Sequence, residues 1–278
     1  MAALTPAHQR TRAVPEPATR PGLRDAVRSE LTKMRSVRST YYTLIAFFAA
    51  GVAYSVINCD AAASAWVHRS SAWHQQFDPA DASLGATVVL GELIIVVLGA
   101  LIMTSEYSTG MIGTSLSTVP RRPVLYAAKA IAFTAVTLSV SLVTSFAAFF
   151  AGQGVLSSKH INTTITDPAA LRAVLLTAVV VPFFGLLAFG LATVIRSTAG
   201  TITAALGIVF LVPVLSQELP SSWQISRWLP GFPGVTTISS TQPPQQYLFG
   251  AWGQLAVVAG WTVVAVAAGA WLLQRRDT

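Results

Sequence analysis

The chain has 278 residues, 53% of them hydrophobic and only 10% charged, with a mean hydropathy of +0.59. A water-soluble domain carries about a quarter charged residues, so these values exclude one and point to helices crossing a bilayer, where backbone groups must bond within their own segment. The net charge of +7 follows the positive-inside pattern and does not call for nucleic acid, and the single cysteine, Cys59, excludes an internal disulfide.

Residues 1–21, rich in Pro, Ala, Thr and Arg, read as a disordered cytoplasmic tail with no secretory-signal core. Across 22–40 the pattern changes. Leu23, Val27, Leu31, Met34 and Val37 recur at helical spacing, with Arg24, Arg28, Lys33, Arg35 and Arg38 mostly opposite. This predicts a basic amphipathic helix lying in the inner membrane interface, ahead of a membrane domain over 41–278.

Crossing a bilayer takes about 20 apolar residues, and six runs approach or exceed that. They fall near 41–57, 83–104, 124–152, 171–195, 199–216 and 251–273. The loop after the first holds His68 and His74. A metal site with an Asp is one reading, but a spacing of six puts the two rings on different helix faces, which favours a plain loop flanked by interfacial Trp66 and Trp73. Kinks are expected at Pro182 and Pro213 in the fourth and fifth runs. Only Arg196, Ser197 and Thr198 separate those two runs, so they form a tight hairpin.

Six spans put both termini on one side. That side carries the eight basic residues before Tyr41, with Arg121, Arg122, Lys129, Arg196, Arg275 and Arg276; the other carries Arg69, Lys159, Arg172 and Arg227. Fourteen against four assigns the termini to the cytoplasm. Glu92 is the one ionisable residue deep in a run. A charge at mid-bilayer costs about 3 kcal/mol or more, so Glu92 either marks a transport path or is a hydrogen-bonded packing residue.

No nucleophile triad, zinc motif or carboxylate pair with credible spacing occurs, so no catalytic, metal or cofactor site is expected. A phosphate-binding loop needs G-x-x-x-x-G-K-[ST], and none of Lys33, Lys129 and Lys159 has that context.

The polar stretch between the second and third runs, TSEYSTGMIGTSLSTVPRRPVLYAAK, is too short for a domain and too polar for lipid. Glu106-Tyr107-Ser108-Thr109-Gly110, then Thr114-x-Leu116, then Pro120-Arg121-Arg122, resembles the cytoplasmic loop of type-2 ATP-binding-cassette (ABC) transporter permeases. The leading run Glu30 to Thr40, the six spans and the long segment 217–250 are similar to that family as well. The resemblance implies an all-α permease that binds no cofactor itself and works in the plasma membrane, expected to be bacterial, as a homodimer with a separate ATPase that binds the ATP. It implies a docking loop at Glu106, Tyr107, Gly110, Arg121 and Arg122, where charged groups suit charge-assisted contacts, though the arginines could also serve topology alone. It also implies a re-entrant external segment around Trp223, Trp228 and Phe232; a surface aromatic belt is the other reading. The alternatives to the permease are a secondary carrier with Glu92 as its proton site, or a non-transporting membrane anchor or sensor.

Overall fold

A computed structural model describes residues 22–110, 122–218, 228–231, 236–241 and 249–275. The described residues are helical with no strand, and six helices are long and apolar enough to cross a membrane. They span Arg38–Ala65, Pro79–Ser108, Arg122–Leu156, Pro168–Ile195, Thr198–Leu215 and Ala251–Arg275, here spans one to six.

The helices are longer than the apolar runs because capping chemistry, not hydropathy, sets their ends. Spans two and four each begin with Asp-Pro. The Asp78 carboxylate accepts from the N–H groups of Ala80 and Asp81, and Asp167 accepts from Ala169, with proline in the first turn of each helix. Aspartate satisfies N–H groups that have no helical acceptor, and proline there loses no bond. Ser197 does the same for span five, accepting from Gly200.

The two prolines are met in different ways. Span four runs on through Pro182, which cannot donate to the Ala178 carbonyl four residues back. The Ser141 hydroxyl of span three donates to that carbonyl at 2.7 Å. In span five the helix widens to a π-turn over Gly207–Leu211 just before Pro213. Its ring would collide with the carbonyl four residues back, that of Val209, and the wider turn relieves this.

Spans two and four form the centre. A Cβ on Gly99 would lie 2.0 Å from the Gly185 carbonyl oxygen, so these helices touch backbone to backbone. Phe47, Ile95, Phe133, Val181 and Phe184 pack fully buried around them. Spans one and six expose Tyr42, Ile57, Val263 and Val264, apolar side chains suited to lipid.

The N-terminal helix is shorter and turned differently from the expectation. It covers Leu23–Ser36, the backbone becomes extended at Val37, and span one starts at Arg38. Its inward face is Ala26, Glu30 and Met34, while Leu23 and Val37 from the expected apolar stripe are 44% and 46% exposed. Ala26 packs on Leu125 and Ala128 of span three.

Candidate functional site

At the end of the bundle where span two stops and span three starts, four charged side chains close a ring. Glu30 and Lys33 come from the N-terminal helix, Glu106 from the last turns of span two, and Lys129 from the second turn of span three. The Lys129 ammonium donates to Glu30 Oε2 at 2.7 Å and to Glu106 Oε1; Lys33 donates to Glu30 Oε1 at 2.8 Å and lies 3.6 Å from Glu106 Oε1. Charges alternate around the ring and cancel. Lys129 is 3% exposed and both carboxylates are buried, so each charge depends on its neighbours, because water does not reach it.

Local sequence accounts for each position. Glu30 lies four residues from both Ala26 and Met34 and so shares their inward face. Lys33, three residues on, reaches back to it from the rim. Partial burial works against the Lys33 charge, but its hydrogen bond to Glu30 and the Glu30 and Glu106 carboxylates outweigh that and hold its pKa above the ordinary lysine value. A cavity of about 410 Å³ opens beside the ring, walled by Leu98, Leu101 and Ile102 of span two.

The other predicted loop residues sit around this ring. Glu106 and Tyr107 are helical, inside span two, and not in the connection, which corrects the expected span end near 104. The Tyr107 ring lies under the Arg196 guanidinium, 5.2 Å from its centroid, and so touches the turn between spans four and five. Arg196 has the left-handed backbone that ends span four. Arg122 donates to the Leu273 carbonyl in the last turns of span six at 3.1 Å, where a helix presents unpaired carbonyls. Tyr126 donates to Val266 of the same span at 3.1 Å. Gly110 is exposed with φ of 69°, a conformation that favours glycine. Arg121 lies outside the described residues.

Glu92 is 0% exposed at the middle of span two. The stretch 228–231 reaches it. Gly231 has φ of 105°, and a Cβ there would lie 1.7 Å from the Val209 carbonyl oxygen and 2.6 Å from Glu92 Oε1. Only glycine fits between the π-turn and the carboxylate. Behind it, the Trp261 indole donates to the Trp228 carbonyl at 2.8 Å and Gln254 donates to Leu229 at 3.3 Å, tying the stretch to span six. Trp223 and Phe232 lie outside the described residues. His74 stacks on Trp66 at 4.2 Å and bonds its carbonyl at 2.9 Å, in an aromatic cluster with Trp73 and Phe77.

Sequence reasoning missed Glu30, Lys33 and Lys129 as a unit with Glu106. One signal was there: two of the chain's three lysines, amid fifteen arginines, stand in the two helices that flank the Glu106 stretch.

A family model described as "ABC-2 family transporter protein" matches residues 26–213, more than half of the chain, from the N-terminal helix into the end of span five. Among curated proteins, none matches.

Proposed function

Since the chain belongs to the ABC-2 family of transporter proteins, we propose that it is the permease subunit of an exporter, working as a homodimer with a separate ATPase. The all-helical, six-span membrane architecture fits that role. In this reading the end bearing the charged ring faces the cytoplasm of a bacterial cell, as the basic-residue count favours, and the N-terminal helix lies in the inner interface. ATP is bound by the partner. The partner docks on the connection between spans two and three, with Gly110 and Arg121 toward it.

The observation that carries the reading is the ring of Glu30, Lys33, Glu106 and Lys129. With Tyr107 on Arg196 and Arg122 on span six, it supports treating the roots of this connection as one block. A push on the connection then reaches the N-terminal helix and spans two, three, four and six together. Rigid helices turn that push into an exchange of inward for outward access. Glu106, Tyr107 and Arg122 act as the base of the docking loop, through contacts inside their own chain.

The test is co-expression with an ABC ATPase encoded beside this chain. A stable complex of two permease and two ATPase chains is expected, with ATP-dependent extrusion from inverted vesicles. A monomer that binds no ATPase, and transport driven by a proton gradient and abolished in Glu92→Gln, would replace this reading with the carrier.

A further inference from the structure

The opposite end of span two carries a second polar cluster. Asp78 Oδ1 caps the helix, as described above, but Asp78 Oδ2 faces across to another part of the chain. It accepts from the Ser240 hydroxyl at 2.7 Å and from the Thr241 backbone N–H at 2.5 Å. One turn on, Asp81 Oδ1 accepts from the Ser239 hydroxyl at 2.6 Å. Arg172 of span four closes the cluster by donating to the Ser240 carbonyl at 2.9 Å.

These bonds all act on a helix of four residues, Thr236–Ser239. One turn is far below the length at which a helix holds by itself. Its position therefore rests on tertiary contacts: the carboxylate bonds, which are of the stronger, charge-assisted kind, and Ile238, fully buried in the main core. Gly231, in the neighbouring described stretch, is seated between Val209 and Glu92. From Asp81 to Glu92 span two rises about 16 Å, at about 1.5 Å per residue. The stretches 228–231 and 236–241 thus touch span two near its start and at its midpoint, and they cover Glu92 from that end.

We propose that Asp78 and Asp81 form the latch of a plug. They hold stretches 228–231 and 236–241 on span two with Gly231 seated against Glu92, and release of their bonds opens the bundle centre from the end opposite the charged ring. That this centre is a path rests on the permease reading; the latch itself does not. Asp78 and Asp81 are positioning residues here.

The test uses the full chain in detergent, where reagent reaches both ends and neither ATPase nor cargo is needed. Ile238→Cys supplies a fully buried reporter, and the native Cys59, also 0% exposed, supplies an internal control. Both should react slowly with a polar maleimide. Asp78→Asn keeps an oxygen to cap span two and turns an amide donor toward Ser240 and Thr241; with Asp81→Asn it should raise the rate at residue 238 about tenfold or more, as expected of local opening. Cys59 should stay protected. The milder Ser239→Ala with Ser240→Ala should give an intermediate rate. An unchanged rate at 238 in both backgrounds overturns the latch. So does equal exposure of Cys59, since the carboxylates would then hold the whole fold. Neither result bears on ATPase binding, which tests the permease reading separately.

Discussion

Glu30 and Lys129 are 99 positions apart in the chain, and their charged atoms lie 2.7 Å apart. One belongs to a helix that crosses nothing, the other to a membrane span. Two ions this deeply buried attract strongly but lose their hydration, so the pair is a weak source of net stability and a strong constraint on arrangement. Its effect is to fix the rotation of the N-terminal helix on span three. Any rotation that turns Leu23 and Val37 inward withdraws Glu30 and leaves Lys129 with Glu106 alone.

Removing the cation should therefore be costly. Lys129→Met leaves Glu30 and Glu106 buried together, a loss of about 3–5 kcal/mol for breaking such a pair. Thermal unfolding in detergent should show a clear drop. Adding Glu30→Gln and Glu106→Gln to the same chain should recover most of it, since a buried ionic cluster made neutral is often tolerated. A melting temperature unmoved by Lys129→Met would mean that the ring contributes nothing.

Lys33 sets the pH behaviour of the rim. Its folded-state pKa lies above the ordinary 10.5 because of the Glu30 and Glu106 carboxylates, against an opposing effect of burial. A raised lysine pKa stabilises fully below the unfolded value and is lost as pH rises through the folded one. Lys33→Met should therefore lower the melting temperature between pH 7 and 9 by a constant amount, and the gap should close only in strong alkali. A gap that closes below pH 9 contradicts this assignment.

Much of this architecture is legible in sequence because its cause is local. Six spans follow from apolar runs, and the Asp-Pro starts of spans two and four follow from capping. The ring is not legible in that way. Glu30 is tolerable on an inward face only because Lys129 meets it from another helix, and no window of local sequence contains both. The apolar stripe of Leu23, Val27 and Leu31 gives the right periodicity with the wrong rotation, because hydrophobicity does not register a partnered carboxylate. Gly231 is similar: its need for a missing side chain comes from Val209 and Glu92, on two other spans.

The crossing of spans two and four should be intolerant of any side chain. At Gly99 a Cβ meets the Gly185 backbone at 2.0 Å, and a backbone cannot swing aside as a side chain can. Gly99→Ala should cost about 1–3 kcal/mol, the usual range for overpacking, and Gly99→Val should abolish a monodisperse peak on size exclusion. Gly154→Ala, where nothing lies within 4 Å of the new atom, is the control and should behave as the parent.

Glu92 separates a path from a packing role through two substitutions. Glu92→Gln keeps the shape and removes the charge; Glu92→Leu removes polarity beside Gly231 as well. If Glu92 lines a path, the Gln variant should express normally and change the transport rate or its pH profile. If it only packs, Gln should be silent and Leu should lower stability. Normal transport and stability in both variants would remove Glu92 from the site.

The last prediction concerns Glu106, where docking and architecture meet. Reversing its charge places a third cation beside Lys33 and Lys129, with Glu30 alone to balance them. An ammonium at 106 cannot be paired there, so Glu106→Lys should loosen the N-terminal helix from span three while the apolar run of span two still inserts. Trypsin should then cut near Lys33 faster, and affinity for the ATPase should fall. Glu106→Gln is the discriminating variant. It removes the charge without adding one and leaves Lys129 its bond to Glu30, so the helix should stay in place. If the ring transmits the stroke, the Gln variant should still bind the ATPase, yet cargo should no longer stimulate ATP hydrolysis. Wild-type stimulation in Glu106→Gln would reduce the ring to a structural clasp and leave coupling to the connection between spans two and three alone.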